Sequence, residues 1–565
     1  MKRHLMVLIS LLFAIASIGH AENYLLNGGQ TSRIRYKMVQ TVEPNPAIYK
    51  LYLSYVVPVT YQSPTYNQTI VEANFDYSPA PENKEEFLDK RGNKVIKVSW
   101  TKPTTTIRTT ISLTADNKTL LQPLKTTSPF PLGNLPADVQ PYLSSTNQVP
   151  SADATIANKA RELTAGSKTE FDAVQRILTW VIDHMNYVLT PPDYGAMYSF
   201  NTGKGNCQNY SHLASALMRA VGIPARIVNG ITLKQPYTIA MGDRNLTLKM
   251  AEGRHSWIEV YFPDLGWVPF DPQQTQLFVS NRFIRVEVGL DNEETAQDGL
   301  IRWTQTKTEL ASPQFEETIE ASFVADNVSL TAKKENYGPA KLLLTPAVQA
   351  TFQPLALAKE PEPKPVIKTD QIAKLAYTKP FMFGNLEFPK NVDFLATRGP
   401  AQKADANNFE MRKNFLVETA EYVTEQAQYA QAFVLTKPVE VRKIGLVLHK
   451  FGGSGFLWLE LLKDDNGLPG ETIATSEMVS VEQMKFTPGY DWVDFNFSSE
   501  SPKTMPGRYW IALGFSGRPI INWFYSYGKP VGPEDGTRYK TILDTNWSNS
   551  LAFEFNYRVL GFATE

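Results

Sequence analysis

The chain has one cysteine, Cys207, in 565 residues. An internal disulfide is therefore excluded, and stability must come from hydrophobic cores of adequate size. Charge of either sign is not in excess: Lys and Arg total 56 against 57 Asp and Glu. That balance gives no reason to expect nucleic acid or a charged membrane surface as partner. Histidine is scarce, at six residues. HExxH, Walker, EF-hand and GxSxG spacings do not occur, so metal, nucleotide and serine-nucleophile chemistry have no support and no cofactor or metal is expected. The Asp464-Asp465-Asn466-Gly467 run reads as a hairpin turn rather than a calcium loop. There is no internal repeat.

Long apolar runs are also lacking beyond the first residues. Lys2 and Arg3 precede an apolar stretch from Leu5 to Ile18, and Gly19-His20-Ala21 supplies small residues at processing positions. This reads as a secretory leader cut after Ala21, with no membrane span left afterwards and a periplasmic or extracellular destination. No cysteine near Ala21 permits lipid attachment there. A chain this long exceeds one hydrophobic core, so several domains are expected. Aromatic residues make up 12%, with 25 Tyr and 30 Phe, which suits β-rich packing.

The organisation follows from periodicity. Residues 22–130 alternate apolar and polar positions, as in Arg91 to Trp100 and Thr104 to Ala115, and read as an N-terminal β-sandwich. Helical spacing then begins. Ser167 and Glu170 form a capping box, followed by Val174, Ile177, Leu178, Val181, Ile182 and Met185 on one stripe. A second helix runs from about Cys207 to Ala220 and stops at Gly222 and Pro224. Ile227 to Leu233 and Ser256 to Phe262 read as strands, so residues 131–305 form an α+β core. Additional strands occupy 306–352, and a Pro-rich linker 353–372. Residues 373–565 read as a C-terminal β-sandwich or jelly roll. Five of its tryptophans (Trp458, Trp492, Trp510, Trp523, Trp547) suit either a core or a glycan-stacking face, which makes a glycan or surface ligand a candidate partner of this region.

A lone thiol in an exported chain is either an inert buried hydrophobe or a reactive group. Cys207 opens a helix, where the partial positive charge of the helix start stabilises a thiolate and its own N–H can face a developing oxyanion. Gly203 and Gly205 before it allow close approach by a substrate backbone. A general base must reach the sulfur. His212 lies about 140° around the same helix at about 100° per residue and points elsewhere. His184 belongs to the preceding helix and His449 to the distant C-terminal region, which leaves His255. Asp271 ends an apolar strand and can accept from the second imidazole nitrogen. Glu259 is too far along the same strand as His255, and Asp264 sits in a turn. Catalysis needs all three segments to converge in an accessible groove.

The stretches GNCQNYSHLASALMRAVGIPARIVNGIT (205–232) and GRHSWIEVYFPDLGWVPFDP (253–272) together resemble the transglutaminase-like superfamily, the papain-related group with Cys, His and Asp in that order. The resemblance covers roughly residues 135 to 305. It implies a papain/transglutaminase-like core with Cys207 as nucleophile, His255 as base and Asp271 as its orienting carboxylate. It also implies an exported acyl-transfer enzyme acting on peptide or side-chain amides of protein substrates. Hydrolysis is favoured over crosslinking, and an inactive binding protein is the rival. Many members carry an acidic residue where this chain has Asn209.

Overall fold

The computed structural model describes residues 23–564 other than 122–123, 189–190, 242–243, 249–251, 274–277, 307–311, 336–347, 350–374, 387–401, 406, 412–419, 425–426, 486–490, 498–500, 527–535, 542–543, 548 and 552. The expected leader and the Pro-rich linker therefore lie outside the described residues. The protein is multidomain and strand-rich, with few helices. No helix among the described residues is long and apolar enough to cross a membrane.

In chain order the main elements begin with β1 (Asn23–Glu43), β2 (Ile48–Val57), β3 (Tyr66–Ser78), β4 (Lys94–Thr101) and β5 (Ile107–Leu121). Four helices follow: α1 (Ala154–Thr164), α2 (Glu170–His184), α3 (Ala196–Thr202) and α4 (Cys207–Ala220). Then come β6 (Ala225–Thr232), β7 (Gly253–Phe262), β8 (Gly266–Phe270), β9 (Phe283–Gly289), β10 (Leu300–Gln305) and β11 (Gln314–Glu335). The C-terminal region includes β12 (Ala427–Leu435), β13 (Val439–Gly452), β14 (Gly455–Asp465), β15 (Leu468–Thr475) and β16 (Gly507–Gly517).

The N-terminal strands keep a period of two. In β5, Ile107, Thr109, Ile111, Leu113 and Ala115 are buried while the residues between them are more exposed. β1 lies antiparallel between β5 and β11, and β2 lies antiparallel between β4 and β10. The two sheets share one core, in which Ile34 and Met38 meet Leu51, Tyr55, Val98 and Trp100. Thus β10 and β11, which follow the helical region in sequence, pair with its N-terminal neighbours.

In the central region β8–β7–β6–β9 form an antiparallel sheet. One face packs on α2 and α4 through Ile227, Ile258 and Val260 and, further along, joins the N-terminal core through Ile231 and Ile284. The other carries Val228, Trp257, Phe283 and Val288 against Tyr66 of β3. α4 is buried from Cys207 to Arg219, so its apolar residues extend beyond a single stripe. Its polar residues find partners: Ser211 Oγ donates to the Ser256 carbonyl at 3.0 Å, and Arg219 donates to the carbonyls of Ala225, Ser144 and Leu290. One expectation fails at α2. Thr169 is the N-cap, accepting from the Asp172 N–H, and Glu170 is the first helical residue. Glu170 is buried, and that burial, with the nearby Asp264 charge, pushes its carboxyl up to about 9.

The C-terminal strands order as β15–β14–β16–β12 in one sheet, with β13 in a second. Leu457, Leu459 and Leu461 alternate inward along β14. The β14–β15 connection is the expected hairpin turn, with Asn466 at φ 52° and Gly467 at φ 81°. Trp510 and Trp523 are fully buried and serve the core.

Candidate active site

α4 starts at Cys207 because two flanking asparagines close a capping box. Asn206 Oδ1 accepts the Gln208 N–H at 3.1 Å, and Asn209 Oδ1 accepts the Asn206 N–H at 3.1 Å. Gly205 is needed for this packing, since a Cβ there would collide with the Asn209 side chain. Gly203 ends α3 in the left-handed conformation at φ 65°. Both glycines therefore accommodate the chain's own backbone and side chains. As the first residue of α4, Cys207 has an N–H with no intrahelical acceptor.

His255 lies on β7 opposite Gly230 of β6, and the Ser211–Ser256 bond ties that strand to α4. Asp271 follows β8. Its Oδ2 meets His255 Nε2 at 2.8 Å, and its Oδ1 accepts the Gln273 N–H at 3.0 Å. Cys207 is an electrostatic neighbour of the imidazole and favours its protonated form. His255 Nδ1, the nitrogen left over, has no hydrogen-bond partner among the described residues. Trp257 stacks beside the ring at 6.0 Å and Phe283 meets it edge-on at 5.5 Å. Burial opposes charge on this imidazole, but the Asp271 carboxylate outweighs it through its charge and its hydrogen bond, helped by the neighbouring Cys207. The net effect raises the pKa to about 10.

Cys, His and Asp from three segments are thus brought together. The groove, however, is not open: Cys207 is 0%, His255 1% and Asp271 0% exposed. A substrate reaches the sulfur only if covering groups move.

The competing residues are otherwise engaged. Glu259 is held by Arg226 and Arg285, whose charges overcome its burial and lower its pKa to about 2. Asp264 accepts from Thr126, Thr127 and Ser128. His184 bonds the Phe200 carbonyl and stacks on Trp180. His212 bonds Tyr194 and Asn292. Among the described residues no cluster of three His, Cys, Asp or Glu could hold a metal ion.

Sequence reasoning missed Arg254, beside His255. Its guanidinium is buried between Asp298 and Glu317. Gln40 of β1 also donates to Glu317, so β1 and β11 of the N-terminal sheets brace the strand that carries His255. A charged residue next to a candidate base was the available signal, but its partners lie far away in sequence.

Residues 157–272 match the model of the transglutaminase-like superfamily, so the segment that holds α4 and β6 to β8 is a transglutaminase-like domain. Among curated relatives, the uncharacterized Bacillus subtilis protein YebA is 30% identical over 139 residues, covering 23% of this chain and 18% of its own length. The protein-glutamine gamma-glutamyltransferase of Pseudomonas aeruginosa is 33% identical over 90 residues, covering 15% and 13%. The chain therefore spans less than a fifth of the length of these two relatives. Among solved structures, a candidate cysteine protease from Cytophaga hutchinsonii aligns with a TM-score of 0.40 at 19% identity, over 54% of this chain and 94% of that one.

Proposed function

We propose that the protein is an exported cysteine-nucleophile acyl-transfer enzyme that cleaves amide bonds of peptide or protein substrates, with Cys207, His255 and Asp271 as its catalytic residues. The observation that carries this reading is the His255–Asp271 pair at 2.8 Å beside the only thiol in the chain. His255, whose protonated form Asp271 favours, accepts the Cys207 proton as the sulfur attacks the amide carbonyl. His255 then gives its proton to the leaving amine, and a thioester forms on Cys207. Neutral His255 next takes a proton from water, whose oxygen attacks the thioester. The acid is released, and His255 returns its proton to the departing sulfur. Water needs no acceptor subsite, so hydrolysis is the default fate of the thioester. Incubating wild type and Cys207→Ala with a protein mixture tests this: new termini, lost in the variant, are expected by mass spectrometry.

A second reading is crosslinking, in which a lysine-type amine replaces water. It is favoured by the likeness to the Pseudomonas aeruginosa gamma-glutamyltransferase. Isopeptide links in place of new termini decide for it.

The flanking regions we assign as an N-terminal β-sandwich (22–130) and a C-terminal β-sandwich of jelly-roll kind (373–565), the latter a candidate for a glycan or surface ligand. Retention of that region on immobilised glycans checks the last point. Residues 1–21 we assign as a leader, and an exported product whose mature chain starts at Glu22 is the expected result.

A further inference from the structure

Far along the chain from Cys207, a cavity of about 350 Å³ opens in the C-terminal region. It lies between β13, the strand Asp491–Asn496 and the turn Val481–Gln483 with the two residues after it. β13 and that strand pair antiparallel, with Val447 opposite Trp492 and Leu448 opposite Asp491. Leu448 is buried and, with Val493, gives the cavity an apolar floor. Gln483 and Lys485 are exposed and Asp491 is half-buried, so these three make its polar rim.

Trp492 forms one wall. Arg558 lies over its ring at 4.5 Å and donates to Asp494 at 2.7 Å, so the indole is held before any ligand arrives. The turn is fixed too: Glu482 accepts from Ser480 Oγ at 2.6 Å and from the Gly455 N–H at 3.2 Å. The other tryptophans of the region are otherwise placed. Trp510, Trp523 and Trp547 are buried. Trp458 packs over Gly514, where a Cβ would meet its ring at 2.4 Å, and its Nε1 donates to Glu460.

The chemistry of the lining selects the ligand. The volume falls at the lower end of the range for small-ligand sites, about 300–1,000 Å³, which suits a molecule of saccharide size. Lys450 and Lys485 stand against Asp491 and Asp494, so the lining does not favour a charged ligand. Sugar hydroxyls both donate and accept, and here carboxylate and carboxamide oxygens accept while ammonium and amide N–H groups donate. The C–H face of a sugar ring packs on apolar and aromatic surface, which Leu448, Val493 and Trp492 supply.

We propose that this cavity is a binding site for an uncharged saccharide, with Trp492 as its wall and Gln483 and Asp491 as hydrogen-bonding groups. The proposal rests on the reading of residues 373–565 as a glycan-binding region and names the place in it.

Affinity chromatography of the full-length protein on immobilised glucose, galactose, mannose, N-acetylglucosamine and their disaccharides tests it. Wild type should be retained on at least one of these and released by the same free sugar. Gln483→Ala and Asp491→Ala should each weaken retention about tenfold, as loss of a hydrogen bond with a charged or polar partner does. Their denaturant midpoints should match wild type, since both side chains lie at the rim. Full retention in both variants, with loss in Trp458→Ala, would overturn the cavity as the site and leave the glycan reading standing. No retention of wild type on any sugar would overturn both. Release by a peptide digest and not by free sugar would assign the cavity to peptides and overturn the saccharide.

Discussion

Asp271 and His255 meet across an antiparallel strand pair, with Oδ2 and Nε2 at 2.8 Å and both side chains shut off from solvent. The carboxylate fixes which ring nitrogen is left for the sulfur and supplies the charge that keeps the ring protonated. Asp271→Asn retains the shape and loses that charge. Turnover of a cleaved peptide is expected to fall by about 10²- to 10⁴-fold, as when a buried triad carboxylate is replaced. The alkaline limit of the reaction should move down from about 10. An unchanged pH profile in the variant would separate Asp271 from the imidazole's charge.

The raised His255 pKa also links stability to pH. The folded value, about 10, lies above the ordinary 6.5. The contribution is therefore fully present below about 6.5 and is lost as pH rises towards about 10. Glu170, raised to about 9, pulls the same way. Urea unfolding of wild type and His255→Gln across this range should show wild type losing stability faster than the variant, since Glu170 is common to both. Parallel curves would contradict the assignment.

Asn209 occupies the position where many resembling sequences carry an acid, and both halves of its amide are used. Asn209→Asp keeps the acceptor for the Asn206 N–H but removes the donor to Asp193 and Ser199, and sets a carboxylate against a carbonyl. A loss of about 1–3 kcal/mol is expected from the unmatched buried groups. Denaturant midpoints at constant slope measure it, and an unaltered midpoint would show the segment to be held by other contacts.

The N-terminal sheets should matter to the site through Arg254. Glu317→Ala leaves this buried guanidinium with Asp298 alone. Breaking a buried ion pair in this way costs about 3–5 kcal/mol. Because Arg254 adjoins His255, peptide cleavage should weaken together with stability. Full activity in a destabilised Glu317→Ala protein would confine the effect to folding.

Much of this was legible in local pattern. α4 spans the residues its spacing and stops imply, and the β14–β15 turn follows from Asn466-Gly467. The candidate triad was found by eliminating the other histidines and carboxylates, and each eliminated residue has a partner elsewhere. What was hidden depends on contacts between distant segments. The start of α2 was misplaced because Thr169 outcompetes Ser167 as cap. Strands β10 and β11 return past the helical region to β2 and β1, a pairing that no local period encodes. The enclosure of Cys207 was equally invisible, because burial of a helix-start residue is decided by packing from segments distant in sequence.

The most direct test is peptide mapping after brief exposure of the full-length protein to p-nitrophenyl acetate. An acetyl thioester on Cys207 that forms and decays in wild type, and forms far more slowly in folded His255→Ala, is the predicted result. Equal labelling in both proteins, or a folded wild type with no label on Cys207, would contradict the account.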